Sequence, residues 1–379
     1  MGDKKVMLDN RVIHQNYMEL IAWIGDKKTA VFGTGKYADF IFNELKVCNV
    51  VGFVEPKRAG AYHRGKLIFD LKDLKIVGAE VLVIGARLQT CQQIYQELLQ
   101  SCFLSGLTVY NVYGVNMEEL NKKLLVQKMQ YDSLNERQVK DQIKSHDIIS
   151  FDIFDTLLAR KVLFPADLFN LLGEKKKVKE YFGGNFGELR VQAEKKQRNR
   201  CPTLEEIYQY MGEIAGIEEK RWRAVFQEEL ELERQNIVSR EGIVQLLEYA
   251  RALNKEIFLI SDMYMTKKQI VDILDKVGIR GYRALFVSCE YKTTKYQFLY
   301  GIFRERIQGK SFLHIGDNEL TDVLAPMCYG MDAILLKSGL DMFRMKHEEV
   351  SLGMGMDWKE KEKTAAEIVA GYLDPFCVK

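Results

Sequence analysis

Four short groups of polar residues follow predicted β-strands in the second half of the chain, and their types suit a reaction at phosphorus. The groups are FDIFDTL at 151–157, Ser261-Asp262, a lysine at either 292 or 295, and GDNELTD at 316–322. Open α/β sheets bind ligands at the carboxyl ends of their strands. A carboxylate can attack a phosphate dianion only where positive charge offsets the repulsion, so a metal ion and a lysine are needed beside it.

The order of the four groups resembles that of the haloacid dehalogenase (HAD) superfamily of hydrolases, most of which are phosphatases. The resemblance covers about residues 147–345 and rests on D-x-x-x-T-L, S-D, K and G-D-N-x-x-x-D occurring in that order. The wording SFDIFDTLLAR and ISDMY is similar to a subgroup found among glycosyltransferase and surface-polysaccharide proteins. The resemblance implies an aspartate nucleophile, Mg²⁺ and a helical cap of the superfamily's first class.

The resemblance also gives each group a role. Asp152 is the expected nucleophile, Lys295 holds it together with the phosphoryl oxygens, and Ser261 binds the same oxygens. Lys295 is favoured over Lys292 because the superfamily's lysine follows the S-x-E element by several residues. The expected oxygen ligands of Mg²⁺ are Asp152, the backbone carbonyl of Phe154, Asp317 and Asp322. Asp322 is alternatively a carboxylate that orients Lys295 or a metal-bound water.

One position departs from the superfamily's pattern. Most of its phosphatases carry a second aspartate, the general acid and base, two residues after the nucleophile, and here that residue is Phe154. Asp155 occupies the place usually held by glycine, and it is the candidate for the role of acid and base. Cleavage of a phosphate ester with a poor leaving group benefits from a proton donor.

Three functions therefore stay open. A magnesium-dependent phosphatase acting on a small phosphate ester, such as a sugar phosphate or nucleotide-linked sugar, is favoured. A catalytically degenerate module for binding or assembly in polysaccharide biosynthesis is the main alternative. A 2-haloacid dehalogenase is the minor one, because the acidic cluster around Asp317 and Asp322 suits a cation and not a carboxylate substrate.

The elements that must position these residues alternate along the chain as in α/β folds with parallel sheets. The sequence predicts a Rossmann-like domain over 1–115, a helical connector over 116–146, a HAD-like domain over 147–345 and a C-terminal helical segment over 346–379. Residues 162–253, rich in Glu, Lys, Leu and Gln, have the helical periodicity of an inserted cap.

The first domain carries a separate glycine motif. Gly33 and Gly35 follow a predicted strand in a G-x-G-x-x-A pattern, which would let a phosphate approach a helix N-terminus. Glu55, after the next strand, is placed to reach a ribose hydroxyl. This lone motif predicts only weakly a nucleotide or nucleotide-sugar site, and a Rossmann-like scaffold without a ligand is the competing interpretation.

Composition excludes several classes of protein. The chain has 379 residues with 55 Lys and Arg against 53 Asp and Glu, a balance that argues against a broad nucleic-acid surface. Its longest apolar runs are shorter than a membrane span, and its N-terminus lacks the apolar stretch of a signal peptide. Seven cysteines without a C-x-x-C pair indicate reduced thiols, so we expect a cytoplasmic protein.

Overall fold

The computed structural model describes residues 10–101, 106–130, 134–348, 352–353 and 355–376. Contacts within the chain divide it into two compact units. The first comprises the described residues up to 129 together with 296–308 and 319–331, and the second comprises 130–295, 309–318 and the described residues from 332 onward. Two segments from the second half of the sequence thus pack in the first unit.

A six-stranded sheet forms the centre of the first unit. Its strands are β1 (Thr29–Phe32), β2 (Val50–Val54), β3 (Tyr62–His63), β4 (Lys66–Phe69), β5 (Val81–Ile84) and β6 (Thr108–Tyr110). Their spatial order is β3-β4-β2-β1-β5-β6, and all neighbours are parallel except β3 and β4. The apolar β5 is buried along its whole length, as a strand covered on both faces must be. The predicted small α/β layer is confirmed.

Helices from both halves of the sequence surround this sheet. They are Arg11–Ile24, Lys36–Glu44, Leu74–Val77, Leu88–Gln100, Met117–Gln130, Tyr300–Arg306 and Ala325–Met327, with 3₁₀ turns at Pro56–Arg58 and Leu71–Asp73 and a π-helical turn at Glu319–Leu324. Hydrogen bonds attach the late segments: the Tyr113 hydroxyl donates to the Gln297 carbonyl at 2.8 Å, and the Asn16 amide donates to the Cys328 carbonyl at 3.2 Å.

The second unit contains a five-stranded sheet and a separate strand pair. Its strands are β7 (Ile148–Phe151), β8 (Leu158–Arg160), β9 (Ile237–Ser239), β10 (Glu256–Ser261), β11 (Ala284–Val287), β12 (Phe312–Gly316) and β13 (Asp332–Leu335). The sheet is parallel throughout, in the order β11-β10-β7-β12-β13. Phe151 of β7 lies opposite Leu259 of β10 and Ile315 of β12, so these three strands end at one edge.

The predicted helical insertion follows β8, and its described residues form a hydrophobic core of their own. Its helices are Pro165–Gly173, Lys176–Phe182, Phe186–Gln197, Leu204–Ala215 and Glu219–Gln235, with a 3₁₀ turn at Arg198–Arg200. The fully buried Arg190 forms a salt bridge with Glu229, Nη2 to Oε1 at 2.9 Å, and the Tyr208 hydroxyl donates to the same carboxylate at 2.6 Å. We call this helical insertion the cap.

The insertion ends earlier than the sequence indicated. The predicted cap extended to residue 253, but the helix Glu241–Ala252 buries Ile243, Leu246 and Leu247 in the core of the five-stranded sheet. The antiparallel pair of β8 and β9, which the sequence did not predict, closes the insertion. Both segments are amphipathic, so periodicity alone cannot tell which core receives their apolar side chains.

The remaining helices of the second unit are Glu136–Ser145, Lys267–Lys276, Ser288–Tyr291, Gly339–Lys346 and Trp358–Gly371. A π-helical turn at Lys295–Leu299 begins with a residue of the second unit, and its other residues belong to the first. The predicted connector is helical over Met117–Gln130 and Glu136–Ser145, and its residues 131–133 lie outside the described part. Cys102, Cys377 and the first nine residues also lie outside it. Five described cysteines are free thiols. No described helix is long and apolar enough to cross a membrane.

Candidate active site

Asp152 lies directly after β7, the central strand of the second sheet. Its side chain is almost fully buried, and its backbone N–H donates to the Ile315 carbonyl of β12 at 2.9 Å. Ser261 is the last residue of β10, the neighbour on the other side, and is also buried. The apolar sequences of these strands force them into the interior, and the first polar residues after them consequently meet at the sheet's carboxyl edge.

Lys295 forms an ion pair with Asp152. Its Nζ donates to Asp152 Oδ1, and only 2% of the lysine side chain is exposed. The backbone N–H of Lys295 donates to Asp262 Oδ1 at 2.8 Å, which fixes the start of this lysine's helical turn beside β10. Lys292 points elsewhere and pairs with the half-exposed Glu206 at 2.6 Å. Of the two candidate lysines, the structure brings Lys295 to the aspartate.

Asp317 supplies a second carboxylate at the same edge. One of its oxygens lies within 4.8 Å of an Asp152 carboxylate oxygen. The Thr156 hydroxyl donates to Asp317 Oδ1 at 2.9 Å and so orients the carboxylate. Two carboxylates this close repel each other unless cations lie nearby, and hard oxygen ligands at this spacing suit a magnesium ion. The donor set therefore fits the predicted metal.

Asp322 follows on the π-helical turn Glu319–Leu324, in the first unit. It is 1% exposed, and within that unit the Tyr300 hydroxyl donates to its Oδ1 at 3.5 Å. The sequence predicts a role for Asp322 at the metal. That role stays a prediction, as does that of the Phe154 carbonyl.

The turn after Asp152 has an unusual backbone. Asp155 adopts a left-handed conformation, with φ of +61°, and its side chain is exposed. This is a conformation that glycine adopts without strain, and Asp tolerates it better than most residues do. Asp155 therefore occupies a turn position whose backbone conformation glycine would also allow.

A cation lies over the ring of Phe154, the residue two positions after Asp152. The guanidinium carbon of Arg160 lies 4.6 Å from the Phe154 ring centroid, and Arg160 Nη2 bonds Glu233 Oε1 at 2.8 Å. Burial alone would lower the pKa of Arg160, but the charges of Glu233 and Asp155 outweigh burial and raise that pKa. Arg160 therefore stays fully charged beside Phe154.

Three contacts at this site were missed by the sequence analysis. The Asp262 side chain anchors the backbone of Lys295, the Thr156 hydroxyl orients Asp317, and Ser288 Oγ accepts a hydrogen bond from the Met263 N–H at 2.9 Å. Asp262 and Thr156 stood within the recognised motifs, so their positions were known. Only the three-dimensional structure shows which atoms they contact.

The glycine motif of the first unit lies at the carboxyl ends of β1 and β2. Gly33 has φ of +95°, and Gly35 precedes the helix Lys36–Glu44. The Thr34 hydroxyl donates to the Glu55 carboxylate, and Arg58 Nη1 lies 4.0 Å from that carboxylate. These contacts engage the oxygens that a ribose would need, and a nucleotide role for Gly33, Gly35 and Glu55 stays a prediction.

Comparison with solved structures finds distant similarity over about half of the chain. A HAD phosphatase from Thermococcus onnurineus matches 56% of this chain and 91% of its own at 17% identity, with a TM-score of 0.35. The L-2-haloacid dehalogenase from Xanthobacter autotrophicus matches 54% of this chain and 84% of its own at 11% identity, with a TM-score of 0.37. A hydrolase from Streptococcus pneumoniae TIGR4 matches 54% of this chain and 98% of its own at 20% identity, with a TM-score of 0.30. No family model and no curated protein matches the sequence.

Proposed function

We propose that this chain is a magnesium-dependent hydrolase of small phosphate esters, with Asp152 as the nucleophile. The observation that carries the proposal is the buried ion pair of Lys295 and Asp152 beside Asp317, at the carboxyl edge of a parallel sheet. A lysine and two carboxylates held together in this way suit a ligand that is anionic and binds a cation. A phosphate ester with Mg²⁺ meets both conditions.

In the first step, an Asp152 carboxylate oxygen attacks phosphorus. A new bond forms between that oxygen and phosphorus while the bond from phosphorus to the ester oxygen breaks. The ester oxygen leaves with the bonding electron pair as an alkoxide, which takes a proton from water to become the alcohol. Lys295 Nζ, already bound to Asp152, stabilises the charge on the phosphoryl oxygens as a compact cation. Ser261, at the end of β10, donates a hydrogen bond to the same phosphoryl group.

In the second step, water attacks phosphorus of the aspartyl phosphate, and the bond to the Asp152 oxygen breaks. Inorganic phosphate leaves and the Asp152 carboxylate is regenerated. Asp152, Asp317 and the Phe154 carbonyl of the second unit would hold Mg²⁺, and its positive charge would offset the repulsion between the carboxylates and the phosphate. The Thr156 hydroxyl keeps Asp317 oriented through both steps.

The substrate class we propose is a sugar phosphate or nucleotide-linked sugar. This part rests on the resemblance of the 150–160 and 260–264 segments to hydrolases associated with surface polysaccharides. We propose separately that Gly33, Gly35 and Glu55 of the first unit bind a nucleotide or nucleotide-sugar. Since that portion of the proposal concerns a separate motif, it is tested separately, by thermal shift with NAD, CoA and UDP-sugars.

Phe154 is the specific observation that favours the second candidate function, a degenerate module that binds ligands or partners without turnover. A phenylalanine capped by Arg160 cannot donate a proton to a leaving group. In such a module, Lys295 and Asp152 would bind an anionic ligand without hydrolysing it.

Phosphate release decides between these functions. The purified chain is assayed on phosphosugars and aryl phosphates with Mg²⁺ and with a chelator, next to Asp152→Asn. We expect turnover that needs Mg²⁺ and is lost in the variant. Turnover that survives the chelator contradicts the metal-dependent mechanism. A folded chain with no turnover and no metal binding supports the module, and halide release from 2-haloacids would support a dehalogenase.

A further inference from the structure

Arg240 is a buried arginine at the junction of the cap and the sheet domain. It follows β9 and precedes the helix Glu241–Ala252, and its side chain is fully buried. Its guanidinium donates to four backbone carbonyl oxygens: Asp155, Thr156 at 3.4 Å, Lys337 at 2.5 Å and Leu373 at 2.9 Å. One side chain thereby joins the turn after Asp152 to two segments that are distant in sequence.

Two of these carbonyls belong to the turn that positions the candidate catalytic groups. Asp155, whose carbonyl Arg240 binds, is the residue with φ of +61°. The backbone N–H of Arg240 also donates to the Leu157 carbonyl at 2.9 Å, so main chain and side chain hold the same turn. The five donors of a guanidinium lie in a fixed fork, which makes arginine suited to orienting several acceptors at once.

The turn at Asp155 and Thr156 also links the carboxylates of Asp152 and Asp317. Asp152 precedes Asp155 by three residues, and Thr156, which follows it, donates to Asp317 Oδ1 at 2.9 Å. If the turn relaxed out of the left-handed region, the Thr156 hydroxyl would move from Asp317, because a change in φ at Asp155 redirects the chain after it.

We propose that Arg240 is a positioning residue, which holds the turn at Asp155 and Thr156 in its left-handed conformation and thereby sets the spacing of Asp152 and Asp317. The inference rests on the proposed function for the roles of those two carboxylates. It adds that a residue at the far end of the cap insertion, without contact to the substrate, controls how well the pair binds a divalent cation.

The C-terminal segment also contacts Arg240. Arg240 Nε donates to the Leu373 carbonyl, two residues after the helix Trp358–Gly371. A Cβ atom placed on Gly242 would lie 2.5 Å from Asp374 Oδ1, so this segment packs closely against the start of the helix that follows Arg240. The guanidinium is thus held at Nε as well as at the nitrogen that binds the turn, which limits how far it can move.

The test uses Arg240→Lys alone and combined with Asp155→Gly in the full chain. Lysine keeps the charge but loses the fork, so the turn should loosen. We expect faster hydrogen exchange at amides of residues 153–158 and about tenfold weaker Mg²⁺ binding by calorimetry. Glycine adopts a positive φ without strain, so adding Asp155→Gly should recover at least half of the lost affinity on a logarithmic scale.

Arg190→Lys is the matched control, because Arg190 is equally buried but lies in the cap and pairs with Glu229. It should lower the melting temperature and leave exchange at 153–158 and Mg²⁺ affinity unchanged. Unchanged exchange and affinity in Arg240→Lys would overturn the proposal, whatever its melting temperature. If Arg240→Lys fails to fold, rescue of folding by Asp155→Gly supports the proposal, and failure of both chains contradicts it.

The failure of this inference is distinguishable from failure of the proposed function. A wild-type chain that releases no phosphate would remove the proposed reaction, yet hydrogen exchange at 153–158 would still show whether Arg240 holds the turn. If the wild-type chain releases phosphate and Arg240→Lys changes neither hydrogen exchange at 153–158 nor Mg²⁺ affinity, the proposed reaction is supported and the positioning role of Arg240 is contradicted.

Discussion

Lys295 Nζ donates a hydrogen bond to Asp152 Oδ1 although the two residues are 143 positions apart in the sequence. The contact joins the loop after β11 to the end of β7, across the intervening strand β10. Nearly complete burial of both side chains makes their charges interact strongly, since little water screens them. An anion entering this site meets a lysine that is already oriented.

Replacing Lys295 by methionine should abolish most activity. The substitution keeps the length of the side chain but leaves Asp152 and the phosphate without their cation, and we expect phosphate release to fall about 10²-fold or more. Lys292→Met is the matched control, three residues away on an exposed pair with Glu206, and should stay within about twofold of wild type. Equal losses in the two variants would argue against the role of Lys295.

Asp317→Asn should weaken the binding of Mg²⁺ at the site. The amide keeps the shape of the side chain and removes one charge, so the Mg²⁺ concentration for half-maximal activity should rise about tenfold or more. Asp332→Asn serves as control, because Asp332 lies at the amino end of β13 and pairs with His146 at 3.0 Å. A titration of both variants with Mg²⁺ checks this, and an unchanged titration of Asp317→Asn would remove Asp317 from the metal site.

Much of this arrangement was predictable because parallel strands carry their own signal. The runs at Ile148–Phe151 and Ala284–Val287 are apolar except for Ser150 and are bounded by polar residues, and the structure has strands at those bounds. Since parallel strands of one sheet end at one edge, the residues after them were expected to meet. That argument does not distinguish Lys295 from Lys292, because both follow β11. The path of the chain after β11 determines which lysine reaches Asp152, and only the structure gives that path.

Arg240 shows what the sequence could not reveal. It lies in no motif, and its four acceptors are backbone carbonyls, which every residue offers. No pattern of side-chain types therefore predicts the contact. The end of the cap insertion was misplaced for a related reason, since the helix Glu241–Ala252 has the same amphipathic character whether it packs on the cap or on the sheet.

Phe154→Asp should change which leaving groups are tolerated. With phenylalanine at this position, hydrolysis should depend steeply on how acidic the released alcohol is, and aryl phosphates should be much better substrates than alkyl phosphates. The introduced carboxyl group can donate a proton, so the variant should gain at least about tenfold on alkyl phosphates relative to aryl phosphates.

The control for this variant is Phe154→Asn, because asparagine has nearly the size of aspartate but cannot act as an acid. A comparison of rates over a series of leaving groups gives the answer. If wild type already hydrolyses alkyl and aryl phosphates equally well, another group donates the proton, and the exposed Asp155 becomes the first candidate.

Arg190→Met should destabilise the cap. Glu229 would remain buried without its cation, and removal of one partner of a buried pair costs about 3 to 5 kcal/mol in the free energy of unfolding. Trp222 packs in the cap core, so urea unfolding followed by tryptophan fluorescence reports on this region in a background where Trp23 and Trp358 are replaced by phenylalanine.

The exposed cap pair of Lys179 and Glu174 provides the comparison for that variant. Glu174→Gln should change the free energy of unfolding by about 1 kcal/mol or less, because water screens the pair. Similar small losses in both variants would show that the Arg190 pair is not the main support of the cap.

The central claim is that Asp152 attacks phosphorus. The most direct measurement is mass spectrometry of the protein quenched in acid during turnover of an aryl phosphate with Mg²⁺. The account predicts a peptide containing residues 150–160 that carries one additional phosphoryl group, located at Asp152 and absent in Asp152→Asn. Steady turnover with no phosphorylated Asp152 at any quench time, together with an active Asp152→Asn variant, would contradict it.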